Sequence, residues 1–237
     1  MPSLHVLDLS HHNDVKSWDD IAASGIVGVI LKATEGSTYQ DPKYQLRARE
    51  ARNAGLKVAS YHYLHAGNIA EQMKWFIETV QPDYGERMVI DHEADASLEE
   101  LEQAVRTLYA DPHDLQITVY SGHLIKEQLG ADGYSETLAE LTSLWIAQYT
   151  SGSPSWPEKT WPSISLWQWT DSATVQGAVG PVDGNQFNGS AENCALWIGP
   201  TPVPQPVESS IQMGMIVARG TKITLTINGE VQHYVAA

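Results

Sequence analysis

Cysteine is almost absent: Cys194 is the single one in 237 residues. A lone thiol excludes an intrachain disulfide and a cysteine-rich zinc site. It sits in Ala191-Glu-Asn-Cys194-Ala-Leu-Trp197, which reads as a helical packing position and predicts a buried structural thiol. Basic residues are scarce as well, 14 against 29 acidic, for a net charge of −15. A chain this acidic is repelled by phosphate backbones, and no basic cluster offsets the excess, so nucleic acid is not an expected partner. No apolar run approaches the ~18 residues that cross a bilayer, so no membrane span is expected. The first residues lack the basic and apolar regions of a signal peptide and read as a lead into a first strand. A Gly-x-Ser-x-Gly elbow, a P-loop and a dinucleotide fingerprint are all missing.

What is present is globular. Hydrophobic residues make up 42% of the chain, and the length suits one barrel-sized domain with a small appendage. Short apolar runs recur: His5–Asp8, Ile26–Leu31, Lys57–Tyr61, Met88–Asp91, Gln116–Tyr120, Leu144–Gln148 and Ser163–Trp167, with a brief eighth at Val182-Asp183. The first seven are continuously apolar, the pattern of strands buried on both faces in a parallel sheet. Helical stretches lie between several of them. One runs from Asp41, as N-cap, with Pro42 at the first position, to Ala54 before Gly55. Others are Ile69–Val80, the capping-box segment from Ser97, and the shorter Leu124–Leu129. The repeated alternation predicts an α/β fold, an irregular β/α barrel with fewer than eight full helices and a loop over 150–162.

Residues 1–200 would form this barrel. Thr201–Val207, with alternating prolines, reads as a linker. Residues 208–237 read as a β-rich extension whose Asn228-Gly229 marks a hairpin. Some thirty residues cannot bury a core alone, so docking or self-association through the hairpin is expected.

The chemistry gathers on Val89-Ile-Asp91-His-Glu93. Residues i and i+2 of a strand share a face, which sets Asp91 and Glu93 roughly 6–7 Å apart at Cα on one strand end. Two carboxylates this close cannot ionise together easily, so one keeps its proton near neutral pH. A protonated acid beside a carboxylate is what cleavage of a glycosidic bond needs. Asp8, Glu35 and Asp183 fall at or near other strand ends, and the strand ends of a barrel converge on one face. An isolated Asp-x-Glu is usually a solvated pair; one that follows an apolar strand is costly to bury without a use.

Aromatics complete a sugar-type site. There are 8 Trp and 10 Tyr but 2 Phe. Tyr61, Tyr63, Tyr120, Tyr149, Trp167 and Trp169 cluster at strand ends, where flat amphipathic rings stack on pyranose faces. Trp18, Trp75 and Trp197, at helical spacings, read as packing.

These segments resemble the glycoside hydrolase family 25 lysozymes, the Chalaropsis-type muramidases of phage endolysins, bacteria and some fungi. The resemblance is carried by Val6-Leu-Asp8-Leu-Ser10-His11-His12, Leu31-Lys-Ala-Thr-Glu35-Gly36, Ala59-Ser-Tyr-His62-Tyr63, Val89-Ile-Asp-His-Glu93, Val119-Tyr-Ser-Gly122, Leu144-Trp-Ile-Ala-Gln-Tyr149, Leu166-Trp-Gln-Trp169 and Val182-Asp-Gly-Asn185-Gln-Phe187, in order over roughly residues 4 to 198. It implies cleavage of the β-1,4 bond between N-acetylmuramic acid and N-acetylglucosamine in peptidoglycan. It implies Glu93 as general acid, Asp91 as the group stabilising the intermediate, and Asp8 and Asp183 as further acids of the groove. The substrate-binding set it suggests is Glu35, Tyr61, Tyr63, Tyr120, Gln148, Tyr149, Trp167 and Gln168. The expected place of action is the bacterial wall, reached by secretion or by release from a phage-infected cell.

No metal or other cofactor is expected. Neighbours His11 and His12 cannot face one site from an extended segment. His62 and His92 should lie opposite Tyr61 and Asp91 as packing residues, and no His-Glu-x-x-His pattern occurs. The alternatives are a glycan-binding barrel without catalysis and a metal-dependent deacetylase on a similar barrel.

Overall fold

The computed structural model describes residues 2–199, 222–227 and 230–235. The chain divides into two compact units, Met1–Pro200 and Thr201–Ala237. In the first unit the strands and helices follow in the order β1 (Val6–Leu9), β2 (Asp14–Val15), α1 (Trp18–Ala23), β3 (Gly28–Glu35), β4 (Tyr39–Gln40), α2 (Tyr44–Asn53), β5 (Lys57–Tyr63), α3 (Ile69–Val80) and β6 (Arg87–Asp91). There follow α4 (Leu98–Tyr109), β7 (Gln116–Ser121), α5 (His123–Leu129), α6 (Glu136–Leu141), β8 (Thr142–Ala147), β9 (Leu166–Ala173), β10 (Ala178–Val179), β11 (Val182–Phe187) and α7 (Ala191–Ile198).

Eight of these strands close on themselves in the order β1-β3-β5-β6-β7-β8-β9-β11, with β11 returning to β1. The seven strands from β1 to β9 in this ring run parallel, as their two-sided burial requires. β11 pairs antiparallel with both β9 and β1. No helix intervenes between β9 and β11 to bring the chain back to the start of the sheet, so the last strand runs the other way. Loop 148–165 likewise replaces the helix between β8 and β9.

Alternation within each strand makes two cores. Leu7, Val29, Leu31, Met88, Ile90, Val119, Leu144 and Ile146 face the helices. Val6, Ile30, Ala59, Val89, Tyr120, Trp145, Leu166 and Phe187 fill the barrel, and Cys194 and Ile198 of α7 join them. Gly28 makes room for that helix: a methyl there would stand 2.6 Å from Ile198 Cδ1 and 2.7 Å from the Lys57 carbonyl oxygen. Arg87 ties α7 down, its guanidinium 4.1 Å from the Trp197 ring and its Nε donating to the Trp197 carbonyl. Cys194 is buried, its thiol pushed up to about 12 by desolvation.

Helices α3 and α4 match the expected segments, and Ser97 and Glu100 complete the capping box. The helix expected from Asp41 starts at Tyr44 instead. The Asp41 carboxylate accepts from the backbone N–H groups of His11, at 2.7 Å, and Lys43, at 2.9 Å, so it bridges two loops rather than capping the helix. α1 and α6 span six residues each, too short to show a helical period in sequence.

In the second unit, β12 (Lys222–Ile227) and β13 (Glu230–Val235) pair antiparallel from Lys222↔Val235 to Ile227↔Glu230. The expected linker 201–207 and the Asn228-Gly229 turn lie outside the described residues.

Candidate active site

At the strand ends the barrel opens into a cleft of about 230 Å³ lined by Asp8, Tyr61, Asp91, Glu93, Tyr120, Trp145, Tyr149, Gln168 and Asp183. Asp8 follows Val6 on the inner face of β1, and Asp183 stands directly opposite it on β11. Asp91 ends β6 on the face of Val89, already inside the barrel. Glu93 lies two residues past the end of β6. The ladder still reaches toward it, because His92 N–H donates to the Tyr120 carbonyl at 2.9 Å and Ser121 Oγ donates to the His92 carbonyl at 2.6 Å. Asp91 and Glu93 therefore enter one cleft, although only Asp91 belongs to the strand.

The four acids differ in depth. Asp8 and Asp91 are 8% and 7% exposed, whereas Glu93 is open to solvent at the mouth. Burial, then the charge of Glu93, holds Asp91 well above the ordinary carboxylate range. One of its oxygens, Oδ1, is buried without a hydrogen-bond partner. Burial and the charge of Asp183 do the same to Asp8, partly offset by hydrogen bonds from Asn185 and Gln168. Glu93 is raised by partial desolvation and by Asp183, and Asp183 is raised by burial. Both members of the Asp91/Glu93 pair are thus raised, Asp91 the more strongly. Lys32, its side chain 11% exposed, is the cation that pulls down both Asp91 and Glu93.

Rings line the walls. Tyr120 and Trp145 meet edge to face at 4.5 Å. Tyr149 is 56% exposed, yet its hydroxyl donates to Gln168 Oε1 at 2.9 Å.

Four residues of the expected substrate-binding set stand outside the cleft lining. Trp167 alternates with Gln168 and so faces outward; it packs on the outer core, and its indole N–H donates to the Gln148 carbonyl at 2.8 Å. The Gln148 side chain accepts from Lys126 Nζ at 2.7 Å and from Ser155 N–H, bracing loop 148–165. Glu35 is the last residue of β3 and is paired with Lys32 at 2.6 Å and His65 at 3.1 Å. Tyr63 lies under Lys32, 4.9 Å from ring centre to ammonium. Trp145 and Asn185 are the site residues that sequence reasoning missed. Asn185 accepts from Trp145 Nε1 and donates to Asp8 Oδ2, both at 2.7 Å. Its signal was position: two residues after Asp183 in one strand, it shares that inner face.

His62 and His92 are tied to neighbouring side chains. His62 is buried between Thr34 Oγ1 and Gln72 Oε1, and burial lowers its pKa to about 4. His92 Nε2 is bonded to Gln128 Oε1 at 2.8 Å. His11 and His12 stack at 3.8 Å instead of diverging. Among the described residues no group of three His, Cys, Asp or Glu could hold a metal ion, and no helix is long and apolar enough to cross a membrane.

Residues 7–178 match the sequence model of the family described as glycosyl hydrolases family 25. The chain is similar to the autolytic lysozyme of Clostridium acetobutylicum, 31% identical over 176 residues, which cover 72% of this chain and 52% of that relative. The chain thus spans about half the length of that relative. Its fold is similar to a bacterial lysozyme from Streptomyces coelicolor, with a TM-score of 0.69 and 23% identity over 83% of this chain and 97% of the other. A muramidase from Trichobolus zukalii gives 0.67 and 23%, covering 83% and 99%.

Proposed function

Because the chain belongs to the glycosyl hydrolases family 25, we propose that it is a peptidoglycan hydrolase, an N-acetylmuramidase that cuts the β-1,4 bond between N-acetylmuramic acid and N-acetylglucosamine. The observation that carries the reading is the convergence of Asp8, Asp91, Glu93 and Asp183 in one ring-lined cleft. Tyr61, Tyr120, Tyr149 and Trp145 line it with flat rings of the kind that pack against sugars.

Glu93 delivers the proton to the leaving oxygen, and Asp91 stabilises the positive charge that develops at the sugar carbon. A sugar laid over the exposed Glu93 strips its water and raises its pKa, while developing positive charge favours ionised Asp91.

The barrel of residues 1–200 is the catalytic part of this proposal, 201–207 its linker, and 208–237 an extension suited to self-association. The enzyme acts at the bacterial wall, on glycan strands. The deciding experiment is mass spectrometry of digested, purified peptidoglycan. New reducing muramic ends are expected from the wild type and should be lost in Glu93→Gln with its melting temperature kept. Glycan binding without any product would make the barrel a binding module instead.

A further inference from the structure

We infer that Asn185 and Gln168 are positioning residues for the proposed reaction: together they pin Asp8 from the barrel floor, so that one proton lies between Asp8 and Asp183. The inference rests on the glycosidase reading of the cleft.

Each amide is locked in one orientation by its other end. The indole N–H of Trp145 can only donate, and it donates to Asn185 Oδ1 at 2.7 Å. Asn185 Nδ2 is thereby directed at Asp8 Oδ2, also at 2.7 Å, and at the Val6 carbonyl at 3.2 Å. Gln168 Oε1 collects the hydroxyls of Tyr120 and Tyr149, each at 2.9 Å. Its Nε2 then faces Asp8, 3.2 Å from Oδ1 and 3.1 Å from Oδ2. Both amides are buried, 0% and 2% exposed, so water does not compete for these bonds.

The floor therefore offers Asp8 only N–H donors, which favour a carboxylate, while its burial favours the neutral acid. Asp183, its register partner across β1 and β11, lies within hydrogen-bond reach of it. A single proton shared between them satisfies both demands. It leaves the remaining lone pairs of Asp183, which lines the cleft, to the substrate. Tyr149, largely exposed on the wall, joins the sugar side of the cleft to this floor through Gln168.

The test is the pH dependence of kcat and kcat/KM on purified peptidoglycan fragments for the wild type, Asn185→Leu and Trp145→Phe, with melting curves alongside. Asn185→Leu removes a donor that favours the ionised form of the Asp8/Asp183 pair. Its kcat should fall about 10- to 100-fold, the cost of a misplaced group, with KM little changed. The acid limb of kcat/KM should move to higher pH. Trp145→Phe keeps an aromatic ring and removes the indole N–H that holds Asn185 Oδ1, loosening the amide that pins Asp8, so a smaller shift in the same direction is expected. It decides the matter alone if Asn185→Leu does not fold. Rates lower in proportion to the folded fraction, with the acid limb unmoved, would reduce both amides to packing and overturn the inference. So would the absence of a protonated-carboxyl carbonyl band from the infrared spectrum of the wild type at neutral pH. A wild type that releases no muramic ends would overturn the glycosidase reading instead.

Discussion

Two clusters of acids lie on the same end of the barrel and meet opposite fates. At the rim, Glu35 and Asp95 flank His65 at 3.1 and 3.2 Å, and Glu35 also holds Lys32 at 2.6 Å. Burial alone would raise Glu35, but the bonds from Lys32 and His65 outweigh it and leave its pKa lowered. The bond from the Ala66 N–H lowers Asp95 further than His65 does. In the cleft, Asp8, Asp91, Glu93 and Asp183 are bonded to no cation, and all four are raised. Identical side-chain types are thus lowered where positive partners bond them and raised where burial acts without such a bond. The unpartnered Asp91 oxygen makes the contrast sharpest, because an ordinary structural acid would not be left so.

The largest expected effect separates the clusters by activity. Glu93→Gln should cost roughly 10²- to 10⁴-fold in the rate of muramic-end release, the usual worth of a general acid. A Glu93→Gln enzyme with normal turnover would transfer the acid role to Asp91, the more deeply buried acid of the pair.

Next in size is a gain in stability. Asp91 is raised in the folded state, so folding favours its protonated form. That contribution is complete below the unfolded carboxylate pKa of about 3.9 and is lost as pH rises through the folded value. At neutral pH Asp91 therefore weakens the fold. Asp91→Asn should raise the melting temperature by a few degrees at pH 7, leave it nearly unchanged near pH 3, and abolish activity, a trade of stability against function. An equal rise at both pH values would place the effect in packing rather than in the proton.

Much of this is legible in the sequence, for a physical reason. Strands buried on both faces are continuously apolar, so an acid that interrupts or ends such a run is conspicuous; Asp8, Asp91 and Asp183 stood out in this way. Helices with a long period or a cap, such as α3 and α4, were equally plain. Direction within a strand was harder to read. Trp167 and Gln168 are neighbours at one strand end, and pleating sends Gln168 to the floor and Trp167 to the outer core. Asn185 and Trp145 were hidden because their role is to each other and to Asp8, across 40 and 177 residues of sequence. The antiparallel course of β11 was hidden too, since a short strand carries no mark of its direction.

The smallest effect tests the rim. Glu35 is lowered in the folded state, so its contribution is present above its unfolded pKa and fades as pH falls through the folded one, the reverse of Asp91. Its side chain is 35% exposed, so solvent screens the pair, and Glu35→Gln should destabilise by less than about 1 kcal/mol at pH 7. Around 1 M salt, where screening acts over about 3 Å, even this loss should shrink, while the Asp91→Asn gain, which comes from burial, should persist. Denaturant melts of the two variants at low and high salt measure both signs at once. A Glu35→Gln effect as large as that of Asp91→Asn, or one indifferent to salt, would place Glu35 with the buried acids of the cleft.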